Sequence, residues 1–214
     1  MTEAPAGDRV PQPPAGRANP GAPGSRALLV VISGPSGVGK DSVLDELERR
    51  GQRFHRVITC TTRAPREGER DGIDYHFVSA AEFDALIARD GLLEHAEVYG
   101  QRYGVPRAQV EEQLAAGNDV VVRTDVQGAA SIRQLMPDAV RIFLAPPSLE
   151  DLETRLRERG ADDGERIERR LAAARGEMAR SGEFEYVVVN QPGRLDDAAD
   201  RIEEILDAAR LRAS

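Results

Sequence analysis

Apolar positions along this chain fall into short continuous runs that alternate with helical stripes. Residues 27–33 (ALLVVIS) are unbroken and rich in β-branched side chains. That pattern suits a central parallel strand covered on both faces. A glycine-rich turn and a helical stripe at about 41–50 follow, and the runs at 119–123, 140–144 and 186–190 each lead into a further helical stripe. This alternation predicts an α/β, doubly wound fold with helices on both sides of a parallel sheet. Between about 59 and 106 the rhythm changes to short segments divided by polar turns. Ser79 and Glu82 have capping-box spacing there, which predicts a helix from that point to about Arg89. The arginine-dense stretch at 155–180 has the pattern of two helices around Gly160 and Gly164, as in a hinged lid.

Residues 1–25 are Pro, Ala and Gly with scattered charge and no periodicity, so they are expected to be a disordered tail. The rest reads as one domain, with a core of 26–58, 107–154 and 181–214, an inserted lobe at 59–106 and a lid at 155–180. No apolar run is long enough to span a membrane, and the N-terminus has no apolar signal segment. One cysteine, Cys60, excludes an internal disulfide and suits a reducing compartment, so a cytoplasmic location is expected. Lys and Arg number 29 against 37 Asp and Glu, a net charge of −8, which argues against nucleic-acid binding through a general basic surface. Any nucleotide site is expected to be a positive island. Lys40 is the sole lysine among those cations.

Its surroundings explain it. Gly34, Pro35, Ser36, Gly37, Val38, Gly39 and Lys40 form G-x-x-x-x-G-K between an apolar strand and a helix. Such a loop turns backbone N–H groups onto phosphate oxygens, the helix N-terminus adds positive partial charge, and the lysine supplies a compact cation. ATP is therefore expected at residues 34–42. Asp41 replaces the usual Ser or Thr that ligates Mg²⁺, and Ser42 points about 100° away on the helix. Asp41 is expected either to hold Mg²⁺, directly or through water, or to serve the helix N-terminus.

In the inserted lobe, Arg63 and Arg66 flank Pro65, a spacing that can grip a phosphate, and Tyr75 can donate a third hydrogen bond. The stretch from Thr61 through Arg63, Arg66, Gly68, Glu69, Gly72, Asp74 and Tyr75 to Ser79 closely resembles the GMP-phosphate signature of guanylate kinases, and the likeness runs from the phosphate loop to the end of the chain. The resemblance implies a P-loop three-layer fold and transfer of the γ-phosphoryl group from ATP, with Mg²⁺, to GMP or dGMP in purine metabolism. It implies that Arg63, Arg66, Tyr75 and Tyr103 hold the GMP phosphate, and that Thr59, Glu94 and Asp125 read the base. Guanine presents two adjacent donors, which carboxylates accept. By the same resemblance Arg155, Arg159 and Arg170 are lid arginines beside the reacting phosphates and Asn190 lies on the adenine side. Arg157, Arg166, Arg169 and Arg175 are expected on a solvated face.

Two positions depart from the family pattern. Val105 stands where a hydroxyl often contacts guanine, and Arg123 stands where an acid is usual. Arg123 and Asp41 are expected to have exchanged signs. A non-catalytic scaffold domain and a ribose-bisphosphate kinase are the rival readings; the intact phosphate loop opposes the first and the lobe signature the second. The sequence leaves room for a homo-oligomer.

Overall fold

The computed structural model describes residues 26–98, 100–158 and 164–213. The expected tail at 1–25 lies outside the described residues. The central sheet has strands β1 (Leu29–Ser33), β2 (His55–Arg56), β7 (Val120–Arg123), β8 (Val140–Ala145) and β9 (Tyr186–Val189), numbered along the whole chain. Their order is β2-β7-β1-β8-β9, and every pairing in this sheet is parallel. The chain builds to one side of β1 and then crosses to the other, so β1 ends at the switch point where such sheets open a crevice.

The continuous apolar runs reflect burial on two faces. Val30 and Ile32 pack towards helices α1 (Lys40–Arg49) and α7 (Leu195–Ala213), with Leu44, Leu47, Ile202 and Ile205. Leu29 and Val31 face the other way, onto Val110, Val120, Val122 and Ile132, carried by α3 (Arg107–Ala115), β7 and α4 (Val126–Leu135). Each fully buried aliphatic side chain contributes about 2 kcal/mol. Edge strand β9 departs from this, since Val187 and Val189 are exposed while Val188 is buried.

The lobe is a second sheet of β3 (Cys60–Thr61), β4 (His76–Phe77), β5 (Leu92–Val98) and β6 (Gln101–Pro106), in the order β4-β3-β6-β5. Its small core joins Cys60 and Leu92 to Phe83 and Leu86 of α2 (Ala80–Ala88). The capping box holds in both directions: Ser79 Oγ accepts from Glu82 N and Glu82 Oε2 from Ser79 N. The region expected to form a lid overlaps α5 (Leu149–Glu158) and α6 (Gly164–Ala179), joined by Leu152 and Leu156 against Ile167, Leu171 and Ala174. The boundary expected between residues 154 and 155 falls inside α5, because the same apolar stripe runs through both sides of it. No helix among the described residues is long and apolar enough to cross a membrane.

Candidate active site

The phosphate loop follows β1 and enters α1, as the motif requires. Gly34, Gly37 and Gly39 have φ of 139°, 89° and 98°. A Cβ at Gly34 would overlap the Leu144 carbonyl oxygen, and one at Gly39 would lie 2.6 Å from Asn190 Nδ2. Lys40 Nζ donates to the carbonyl oxygens of Gly34 at 2.5 Å and Pro35 at 3.1 Å, so the ammonium folds over its own loop.

Two expected nucleotide-contacting residues hold this loop from behind. Asn190 Nδ2 donates to Val38 O at 2.9 Å, and Arg155 donates to Val38 O at 3.0 Å and Asn190 O at 2.6 Å. Arg155 is not among the residues that line the cleft, whereas Arg170 is, with Nη1 3.5 Å from Ser36 Oγ. Arg159 lies outside the described residues. Arg166 and Arg169 are exposed, as expected of a solvated face, and also line the cleft with Arg170. Arg157 does lie on the surface, paired with Glu153.

Across the cleft, Arg63 donates to Glu69 Oε1 at 2.8 Å, and Arg66 N donates to Glu69 Oε2 at 2.7 Å. Glu69 therefore ties the two arginines of the expected clamp into one loop, a role the sequence reading missed. The Arg63 guanidinium lies 5.3 Å from the Tyr75 ring centre, and Tyr75 meets Tyr103 edge-on at 6.1 Å.

Between these halves sits a third group. Glu94, on β5, is 5% exposed. Its Oε1 accepts from Thr124 Oγ1 at 2.9 Å, whereas its buried Oε2 has no partner. Burial, with Asp125 adding to it, pushes the Glu94 carboxyl up to about 7 against the Thr124 hydrogen bond. The buried hydroxyl of Thr59 also lacks a partner. Two acceptor-bearing groups thus face the cleft unsatisfied, an arrangement that costs stability unless a ligand supplies donors. Asp125 caps α4, its Oδ1 accepting from Gly128 N at 2.9 Å while Oδ2 accepts from Gln127 at 3.3 Å. The cap keeps it at the cleft wall. Val105 is fully buried with Leu93 and Val110 and presents nothing to the cleft.

The cleft measures about 1910 Å³. A single small-molecule site holds roughly 300–1,000 Å³, so this one has room for two nucleotides side by side.

The guanylate kinase profile matches residues 26–209. A guanylate kinase of Gloeobacter violaceus is 48% identical over 192 residues, covering 89% of this chain and 93% of that protein. One from Synechococcus sp. (strain JA-3-3Ab) is 46% identical over 187 residues, covering 87% and 85%. The crystal structure of guanylate kinase from Anaplasma phagocytophilum superposes with a TM-score of 0.69 at 34% identity, covering 87% of each chain. The chain belongs to the guanylate kinase family. That family's reaction is phosphoryl transfer from ATP to GMP.

In this chain the charge of the cleft corrects the expectation of a positive island. Its lining holds nine Lys and Arg and nine Asp and Glu. The acids are used to place the cations: Glu69 holds Arg63, Asp45 holds Arg56, and Asp41 pairs with both Arg56 and Arg123. Asp41 lies in the first turn of α1, where Gly39 is the N-cap residue. Two guanidinium groups share its Oδ1, which leaves Oδ2 as the oxygen it could turn to Mg²⁺. No cluster of three metal-ligating side chains occurs among the described residues. The residues that sequence reasoning missed are Arg56, Glu69, Thr124 and Glu177. Glu177, on α6, has a buried unpartnered Oε2, and burial and Asp125 raise its carboxyl to about 7 despite the nearby Lys40. A charged residue on a long lid helix carries no local signal of that placement. Cys60 is buried, and burial with nearby Asp71 pushes its thiol up to about 12, which makes it unreactive.

Proposed function

We propose that residues 34–42 take ATP, that Arg63, Arg66, Tyr75 and Tyr103 take the GMP phosphate, and that Thr59, Glu94 and Asp125 read guanine. The observation carrying this assignment is the Glu94 Oε2 buried without a partner, together with an equally unpartnered Thr59 hydroxyl, both lining the same cleft as Lys40. Guanine's N1–H and N2–H₂ match that need, and adenine, which has an acceptor at N1, does not.

Catalysis then consists of alignment and charge. A GMP phosphate oxygen attacks the γ-phosphorus in line as the bond to the ADP oxygen breaks, and that electron pair leaves with ADP. The attacking phosphate is already ionised, so no side chain need act as a base. Lys40 neutralises charge on the ATP side, Arg63 and Arg66 do so on the GMP side, and Arg170, with Arg159 by the family resemblance, is assigned to the transferring phosphoryl group. Arg155 and Asn190 act by supporting the loop at Val38. Mg²⁺ bound with ATP would supply further charge neutralisation on its phosphates. A cytoplasmic role in GMP recycling fits the single, inert cysteine. The deciding assay is coupled ADP release with GMP, dGMP, AMP, UMP, CMP and ribose bisphosphate. Turnover confined to GMP and dGMP is expected, and equal use of AMP would overturn the assignment of Glu94.

A further inference from the structure

Arg123 has no place in the roles assigned so far, yet it sits where the two halves of the cleft meet. It ends β7 in register with Ile32, one residue before β1 enters the phosphate loop, and the next residue's N–H donates to Ile32 O at 3.2 Å. Its side chain is 13% exposed. On one side it pairs with Asp41, in the first turn of the helix that the phosphate loop opens. On the other its guanidinium lies 5.0 Å from the ring centre of Tyr75, in the acceptor lobe. Lys40, Asp41, Arg63, Tyr75 and Arg123 all line one cleft.

A guanidinium carries five donors in a flat fork, and a carboxylate oxygen occupies only part of it. The face on Tyr75 leaves the fork edge available, because stacking uses the plane and hydrogen bonding uses the rim. Asp41 can anchor the fork without consuming it. Arg56, the other partner of Asp41, has its own carboxylate in Asp45 at 2.7 Å.

We propose that Arg123 is a catalytic cation that bridges the acceptor phosphate and the transferring phosphoryl group, and that Asp41 is its anchor instead of a ligand of Mg²⁺. This rests on the phosphotransfer assignment above. When the oxygen–phosphorus bond forms on the GMP side and the bond to ADP breaks, two anions are forced together. A fixed guanidinium between them offsets that repulsion while exchanging no proton.

The test uses Arg123→Gln, Arg123→Lys, Asp41→Asn and the double variant Asp41→Asn/Arg123→Gln in the full chain, with wild-type turnover of GMP as the reference. Removing one preorganised charge donor costs on the order of 10²–10³-fold in kcat. Arg123→Gln is expected to lose that much kcat with the KM for GMP within about threefold and the melting temperature close to wild type. Arg123→Lys is expected to recover part of kcat. Asp41→Asn is expected to lower kcat about tenfold, and to add nothing in the Arg123→Gln background. Mn²⁺ binding to the ADP complex, read by electron paramagnetic resonance of free Mn²⁺, is expected to be unchanged in Asp41→Asn. A tenfold or larger loss of Mn²⁺ affinity there would overturn the anchor role. Independent, multiplying effects of the two substitutions, or an Arg123→Gln protein that is merely less stable with kcat intact, would overturn the catalytic one. Absent wild-type turnover of GMP would instead overturn the phosphotransfer assignment, and the Mn²⁺ measurement reads Asp41 in either case.

Discussion

Replacing Glu94 by Gln separates stability from recognition at one buried atom. The wild-type carboxyl titrates near 7 in the folded protein against an ordinary 4.5, chiefly because burial penalises its charged form. Above pH 7 the folded and unfolded chains both carry the charge, and the folded state bears the cost. Below pH 4.5 both are protonated and the cost vanishes. This group's contribution to stability is therefore present in acid and is lost as pH rises from about 4.5 through 7. At about 1.4 kcal/mol per pH unit the full loss is about 3 kcal/mol, and about 2 kcal/mol of it falls between pH 5.5 and pH 8. Glutamine is nearly isosteric and does not titrate. Urea unfolding at the two pH values should show Glu94→Gln gaining about 2 kcal/mol on wild type between pH 5.5 and pH 8, whatever its offset at either one. The same substitution sets an amide donor against guanine's donors, so kcat/KM for GMP should fall roughly 10²–10³-fold. An unchanged stability difference between the two pH values would refute the burial argument. An unchanged kcat/KM would refute the base-reading one.

Lys40→Met should remove turnover by about 10³-fold or more, because it removes the ammonium that folds over the phosphate loop at Gly34 and Pro35, while circular dichroism remains that of the wild type. Gly128→Ala brings a Cβ to 2.5 Å from Glu94 Oε2 and into collision with the Thr124 hydroxyl, so the KM for GMP should rise at least tenfold and thermal stability should fall, both readable from initial rates and a melting curve. Glu69→Gln loses the charge that holds Arg63 and weakens the acceptor at Arg66 N; a several-fold higher KM for GMP with kcat largely kept is the expected result of initial-rate measurements.

The sequence alone determined the parts governed by local rules. Strands β1, β7 and β8 were legible because a parallel strand buried on two faces must be almost wholly apolar, and edge strand β9 was legible from its run of valines although Val187 and Val189 are exposed. The phosphate loop was legible because a backbone cradle needs glycine at the positions that adopt φ of 89° to 139°. The capping box at Ser79 and Glu82 followed from spacing within a single helical turn. Only the tertiary structure decided which charges meet. The family resemblance linked Asp41 to Arg123 as an exchange of signs, but only the fold shows that the two, 82 positions apart, share an ion pair, and nothing in the order of residues says that Asp45 and Glu69 are spent on placing arginines. A count of charges therefore suggested a positive island, and the folded cleft is balanced, because paired acids orient the cations. The lid arginines sort the same way. Arg155 turns to the back of the phosphate loop and Arg166 and Arg169 to the cleft, since the angle at which α5 and α6 pack, set by Leu152, Leu156, Ile167 and Leu171, fixes the direction of every residue they carry.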